Sequence, residues 1–339
     1  MQSLNIIFIG KDQVETQLQE VAPPAPNEIL VEAQRSLIST GTEGIILGRK
    51  FEPGSHWDNW VQYPFRPGYC MIGRVLEVGA DVQGWKVGDR IAARANHKQR
   101  SSYDPVGMRA EPIPDGVSDE AATWFGMAYI AQTGVRSAQH ELGDAVVIVG
   151  AGLLGQLVTQ YTRLSGARDV IVIDTAEPRL EMAKAHGATH VLPMGVADAK
   201  EQVFELTQGR GADVVYDITG HPAVFSSALG LARKFGKMLL LGDTGSPSEQ
   251  RLTPDVITRG VRIIGSHDVH WPRSSSEREY WSHETMVQLF FTYLQRGQME
   301  VESLITHRYS PEEAAAAYQM LQTDRSSAMG VIFDWSRLS

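Results

Sequence analysis

Three glycines and one acid carry the clearest chemistry in this sequence. Gly150, Gly152 and Gly155 are spaced Gly-x-Gly-x-x-Gly, with Leu153 and Leu154 inside the motif, and Asp174 follows. The first glycine permits a tight turn, the second lets a pyrophosphate approach the backbone, and the third lets a helix pack against a strand. A helix N-terminus then offers free N–H groups and the positive end of its dipole to the phosphates. Asp174, about 20 residues beyond the glycines, has the position of the acid that accepts ribose hydroxyls in a dinucleotide site. Its carboxylate would repel a 2′-phosphate, and Thr175 and Ala176 add no positive charge, so the sequence predicts NAD rather than NADP.

The flanking elements agree with that chemistry. Val146-Val147-Ile148-Val149 and Val170-Ile171-Val172-Ile173 are short β-branched runs that read as buried strands, with a helical pattern to about Ser165 between them. Further strands are expected at His190–Leu192, Asp213–Ile218, Lys237–Gly242 and Arg262–Gly265, and helices at Pro178–His186 and Pro222–Lys234. Six strands separated by helices describe a doubly wound, mostly parallel sheet, an α/β fold.

The chain before Ser118 has a different texture. Leu4–Ile9 and Glu28–Arg35 read as strands joined by a Pro23-Pro24-Ala25-Pro26 turn. Ile72–Val78 and a segment from Gly88 add more, and glycine and proline punctuate the rest, which suggests a small β-barrel. Gly330–Trp335 reads as a strand that returns to this first domain. The boundaries expected are 1–134 with 268–339 for the barrel domain and 135–267 for the nucleotide-binding domain.

Composition narrows the partners. At 339 residues two domains are the default, and 42% hydrophobic with 21% charged residues is ordinary for a globular chain. The net charge of −9 argues against nucleic acid or an anionic membrane as partner. No apolar run approaches the roughly 20 residues of a membrane span, and the N-terminus does not read as a signal peptide. The single cysteine, Cys70, excludes an internal disulfide, fits a reducing cytoplasm and excludes a multi-cysteine zinc site. A small-molecule substrate is the partner expected.

A β-rich first domain, a central nucleotide-binding domain and a returning tail together resemble the medium-chain dehydrogenase/reductase superfamily. Val78-Gly79 with Val82, Trp85 and Gly88-Asp89-Arg90-Ile91 is similar to the family's barrel signature. Asp213–Gly220 and Leu241-Gly242 resemble its fourth and fifth strand ends, which border the nicotinamide in the family. The resemblance implies a GroES-like barrel beside a Rossmann domain. It also implies a dimer or tetramer that pairs through the strand near Arg262–Gly265, and coenzyme contacts at Thr219, Gly220, Gly242, Asp243 and Arg179.

Zinc-type members carry a Cys-Gly-Ser/Thr-Asp motif, a Gly-His-Glu motif and a third ligand. The first reads here Thr40-Gly41-Thr42-Glu43, the second Gly68-Tyr69-Cys70, and Ala122–Gly126 supplies no third ligand. The relay histidine of the family falls on Ile45. Zinc needs three or four N, S or O ligands converging at about 2.0–2.3 Å, so no zinc is expected. The strings Ile38–Glu43 and Pro67–Tyr69 resemble a zinc-less branch that includes bacteriochlorophyllide a dehydrogenases and sugar-linked relatives.

Without a metal, the proton and the developing alkoxide fall to side chains. Thr40, Thr42 and Tyr69 occupy the vacated positions, and His97 with Lys98 lies in the loop after the Gly88–Ala93 strand. Each has a plainer reading: the threonines as helix caps, Tyr69 as a packed barrel residue, His97 as a solvated loop histidine, Cys70 as a buried hydrophobe. Trp57, Trp60, His267, His270 and Trp271 flank the expected interdomain cleft and suit stacking on sugar rings, or equally a core or an oligomer contact. The function expected is a zinc-independent, NAD-dependent oxidoreductase of a secondary alcohol on a sugar, glycoside or cyclic polyol. The alternatives are an NAD(P)H-dependent quinone or enone reductase and a non-catalytic nucleotide-binding relative.

Overall fold

The computed structural model describes residues 1–338. It divides into two units: Met1–Lys50, Asn59–Met127 and Pro272 onward form the first, and Phe51–Asp58 with Ala128–Trp271 the second.

The first unit is mostly antiparallel. A hairpin, β1 (Gln2–Gly10) with β2 (Gln13–Glu20), stands apart from the main sheet. The main sheet is built from β3 (Ile29–Leu37), β4 (Met71–Val78), β5 (Arg90–Ala93), β6 (Arg100–Tyr103) and β7 (Glu111–Pro112). β2 escapes the sequence reading because it carries almost no apolar face. Its residues are mostly polar, Leu18 is exposed, and its order comes from the ladder that β1 supplies.

The second unit holds β8 (Ala145–Val149), β9 (Asp169–Asp174), β10 (His190–Pro193), β11 (Ala212–Asp217), β12 (Ala232–Leu240) and β13 (Arg262–Gly265). They form one parallel sheet in the order β10-β9-β8-β11-β12-β13, the 3-2-1-4-5-6 order of a dinucleotide-binding fold. Helices cover both faces, so β8 and the middle of β9 are buried runs of Val and Ile rather than alternating patterns. One expected helix is shorter than its pattern. Pro222–Leu229 is helical, but Gly230 ends it and Ala232 already pairs with Ala212 in the sheet. Arg259 fixes the break by donating to the carbonyls of Gly230 and Ala232.

The chain then returns to the first unit with β14 (Ile305–Tyr309) and β15 (Gly330–Asp334). β15 pairs antiparallel with β3, so the C-terminal strand closes onto the barrel sheet as the sequence suggests. Among the described residues no helix is long and apolar enough to cross a membrane.

Candidate active site

The glycine turn between β8 and the helix Leu153–Leu164 is shaped by close approaches. Gly150 has φ +101°, a conformation costly for any side chain. A Cβ at Gly155 would stand 2.1 Å from the Gly150 carbonyl oxygen, so only glycine lets the helix sit this close to the turn. A Cβ at Gly152 would meet nothing within 4 Å, which leaves the backbone open on the side where phosphates approach. Gly152 is also the N-cap and offers no side-chain acceptor, so the first-turn N–H groups remain available to an anion. Leu153 is buried beneath the turn and Leu154 half-buried.

Asp174, at the end of β9, does more than wait for a ribose. One carboxylate oxygen accepts from the Ala151 amide at 2.7 Å and the other from the Ala176 amide at 2.8 Å. The acid therefore ties the glycine turn to the neighbouring strand end, and each oxygen keeps lone-pair capacity for a ligand hydroxyl. Thr175 is exposed and Arg179 half-buried one turn into the next helix. These residues fit a nicotinamide dinucleotide, which supplies a hydride acceptor or donor when bound.

The carboxyl ends of three strands run together from this turn. A Cβ at Gly150 would lie 3.0 Å from Thr219, which follows β11. Gly242, after β12, approaches so near that a Cβ there would stand 2.5 Å from the Gly220 amide nitrogen, and one at Gly220 would meet the Asp243 carbonyl at the same distance. Asp217 caps the corner by accepting from the Thr219 amide at 3.0 Å and its hydroxyl at 2.8 Å; its burial raises its pKa. Asp243 then holds the His56 imidazole, Nε2 to Oδ2 at 2.8 Å. His56 escaped the sequence reading, which kept it in the aromatic loop of the first domain. Its neighbours Glu52 and Asp58 are the only local hint that this loop has polar business.

In the barrel unit the family's ligand positions hold hydroxyls. The Tyr69 phenol donates to Ser39 Oγ at 2.6 Å and lies 3.4 Å from Thr42 Oγ1, with the Arg94 guanidinium 5.0 Å from its ring centre. Burial pushes the phenol well above its usual range, so Tyr69 stays protonated. Thr40 is buried beside this cluster. Neither threonine caps the helix Thr42–Gly48, whose N-cap Gly41 receives no side-chain bond. Glu43, in the first turn, instead reaches back to accept the Ser39 amide ahead of the helix at 2.7 Å.

His97 is not a solvated loop residue: it is wholly buried. Its Nδ1 lies 2.8 Å from Ser36 Oγ, its Nε2 3.3 Å from Glu43 Oε2, and its ring meets Phe333 edge-on. Trp335 also donates to Ser36, and Tyr318 donates to Glu43. The loop closes tightly over this pair: Gly68 has φ +95°, and a Cβ there would stand 2.7 Å from the His97 ring. With both nitrogens engaged and no exposure, His97 serves the barrel core. Lys98 turns elsewhere, its backbone bridged to Asn5 and its ammonium pKa lowered by burial and by Arg66.

The donor set does not fit zinc. Thr40 and Tyr69 offer neutral hydroxyl oxygens in place of thiolate and imidazole, and Cys70 alone cannot complete a three- or four-ligand site. Cys70 is packed against Gly126, where a Cβ would lie 2.5 Å from its sulfur. Among the described residues no group of three or more His, Cys, Asp or Glu side chains could hold a metal ion.

The expected aromatic contacts scatter. Trp57 is buried in the second unit and Trp60 is exposed in the first, edge-on to Phe65. His267 and His270 are exposed beyond β13 with ring centres 6.1 Å apart, and Trp271 is half-buried.

Comparison with known proteins agrees with this architecture. Residues 26–127 match the alcohol dehydrogenase GroES-like domain and residues 154–283 the zinc-binding dehydrogenase domain. The chain is 30% identical to D-guloside 3-dehydrogenase of Escherichia coli (strain K12) over 278 residues, 79% of this chain and 78% of that protein. It is 28% identical to L-threonine 3-dehydrogenase of Pseudoalteromonas translucida over 313 residues, 82% and 86% of the two. A solved zinc-binding dehydrogenase of Sinorhizobium meliloti, bound to NADP, shares the fold with a TM-score of 0.82 at 19% identity, covering 98% and 99% of the two chains.

Proposed function

The chain belongs to the zinc-type medium-chain dehydrogenase/reductase superfamily, and from that premise we propose that it is an NAD-dependent alcohol dehydrogenase that works without zinc. The substrate we infer is a secondary alcohol on a sugar, glycoside or cyclic polyol. The observation that carries the reading is the paired state of two sites. The glycine turn keeps the close approaches and the acid that a dinucleotide needs, while the metal positions hold Thr40 and Tyr69, hydroxyls where zinc takes thiolate and imidazole.

A developing alkoxide needs positive charge or hydrogen-bond donors. Thr42 is a donor of that kind, and the Tyr69 phenol, whose one proton goes to Ser39 Oγ, becomes one when it exchanges that bond for the alkoxide. A phenol kept protonated by burial is a poor proton acceptor, so this cluster stabilises charge and leaves the proton to another group. The similarity to a D-guloside 3-dehydrogenase favours a glycoside hydroxyl, and the similarity to L-threonine 3-dehydrogenases names a second secondary alcohol to include.

Asp174 supports NAD, since a 2′-phosphate would meet a carboxylate already fixed in place by two amides. The test is a dehydrogenation screen of methyl D-guloside, other glycosides, polyols and L-threonine with NAD and NADP in the presence of a chelator, with metal analysis of protein purified without a metal-affinity tag. Turnover with NAD unaffected by chelator is expected. One zinc per chain, activity lost to the chelator, or equal use of NADP overturns the corresponding part of the reading. The oligomer that the family resemblance implies is read in the same preparation by light scattering; β13, at the open edge of the parallel sheet, is the strand that would pair.

A further inference from the structure

We propose that His56, oriented by Asp243, is the proton acceptor of this dehydrogenase. The inference rests on the oxidoreductase reading above and supplies the group that reading leaves open.

The argument begins with position. In an open α/β sheet, ligands bind outside the carboxyl ends of the strands. Here the glycine turn packs tightly on the Thr219-Gly220 corner, that corner meets the Gly242-Asp243 corner too closely for any side chain, and His56 is bonded to the last of them. Asp174 marks the adenosine side at β9, so β11 and β12, on the far side of β8, lie toward the redox end of a bound dinucleotide.

Chemistry then separates His56 from the other histidines. A carboxylate can only accept, so the imidazole Nε2 must carry the proton it gives to Asp243, and the basic lone pair is left on Nδ1. His97 has both nitrogens engaged inside the barrel core. His221 spends Nδ1 on the Ala223 amide; His267 also meets a carboxylate, Asp268, but with the same Nδ1 that faces the Val269 amide, and it lies after β13, farther from the glycine turn than the loop after β12. A histidine held by a carboxylate through one nitrogen, with the other free to take a proton, is the base–orienter arrangement of many hydrolases.

The pair is also held in place, which an ordinary surface ion pair is not. Upstream of His56, the Glu52 amide donates to the Gly245 carbonyl at 2.8 Å, and the Glu52 carboxylate accepts the Ser248 amide and hydroxyl. Downstream, Trp57 is buried and in ring contact with His56. Asp58 spends a carboxylate oxygen on the Gly54 amide. Asp243 is thus the charged group that bonds His56, while Glu52 and Asp58 on its own segment are committed elsewhere. The His56 side chain keeps 60% of its exposure and can be reached by a substrate.

The step balances simply. The carbinol C–H breaks and its electron pair leaves as hydride to an oxidised nicotinamide dinucleotide, the alcohol O–H proton passes to His56 Nδ1, and the C–O bond becomes a carbonyl. The protonated imidazole then releases its proton to solvent.

Three measurements test this with the full-length protein. His56→Asn should lower kcat on the best alcohol of the screen by about 100- to 1,000-fold and remove the acidic limb of the kcat/KM profile. NADH affinity, read by fluorescence, should stay within about twofold, since His56 contributes no phosphate or ribose contact. Asp243→Asn should cost about tenfold, because the base remains but loses its orientation. In the unliganded protein, ¹⁵N NMR should show the His56 ring as the Nε2–H tautomer, a preference that Asp243→Asn abolishes. His56→Asn within threefold of the parent with an unchanged profile, or an Nδ1–H tautomer in the parent, overturns the proposal alone. A parent protein that binds NADH yet turns over no alcohol or ketone overturns the oxidoreductase reading and this assignment with it.

Discussion

Of the histidine–carboxylate pairs in the chain, one in each unit makes the clearest contrast, and the two differ in almost everything but composition. His97 and Glu43 lie in the barrel core, 0% and 1% exposed and 3.3 Å apart, embedded among Ser36, Ser39, Tyr318 and Trp335. His56 and Asp243 lie at the carboxyl end of the parallel sheet, 60% and 42% exposed and 2.8 Å apart. Burial makes the first pair part of the fold, because each member satisfies a polar group that has no water to turn to. Exposure leaves the second contributing little to stability and able to exchange a proton with a ligand or solvent.

Stability measurements should separate the pairs most sharply. Glu43→Ala leaves the Ser39 amide, the Tyr318 hydroxyl and His97 Nε2 without an acceptor and should cost about 3–5 kcal/mol in urea denaturation. Asp243→Ala should cost under about 1 kcal/mol in the same assay. Comparable losses at both sites would erase the distinction. Next comes the backbone that frames the exposed pair. Gly155→Ala puts a Cβ against the Gly150 carbonyl and should weaken NADH binding by about 100-fold, some 2.7 kcal/mol, in a fluorescence titration.

A third pair lies between these extremes. His283 and Glu111 are buried at 3.2 Å, and burial, with the Glu284 carboxylate adding, pushes the Glu111 carboxyl up to about 8. The folded protein holds a proton there that the unfolded chain releases above about pH 4.3. Folded protein therefore binds more protons across that window, and stability should fall as pH rises through it and level off beyond about 8. Against Glu111→Gln the fall should amount to about 4 kcal/mol in the unfolding free energy from urea titrations at pH 5 and pH 9. A flat difference would place Glu111 with the exposed class. A small effect is expected at Ser39→Ala, which removes one neutral acceptor from Tyr69 and should cost about 1 kcal/mol, with a several-fold fall in kcat if the hydroxyl cluster stabilises charge.

The sequence shows the parallel sheet almost strand for strand, because its signals are local: β-branched runs, a glycine turn and an acid at a fixed offset. It shows the substitutions at Thr40 and Tyr69 for the same reason. It hides β2, whose order comes from a partner rather than an apolar face, and the early end of the helix after Pro222, which Gly230 and Arg259 impose. It also hides the pairings that decide chemistry. His97 and Glu43 are 54 residues apart, His56 and Asp243 187 apart, and no spacing rule reaches that far. Neighbouring polar residues made His97 look solvated, although the loop folds it inward under Gly68.

The short segment Phe51–Asp58 has one further consequence, for assembly of the chain itself. It is synthesised with the barrel but bonds to the loop after β12, so it must remain without its partners until most of the nucleotide-binding unit has been made. Long-range closures of this kind slow folding, since loop entropy is lost before the contact forms. A fragment cut at the sequence boundaries of the nucleotide-binding unit would lack its own strap, leaving Gly245, Ser248 and Asp243 facing water where Glu52 and His56 belong.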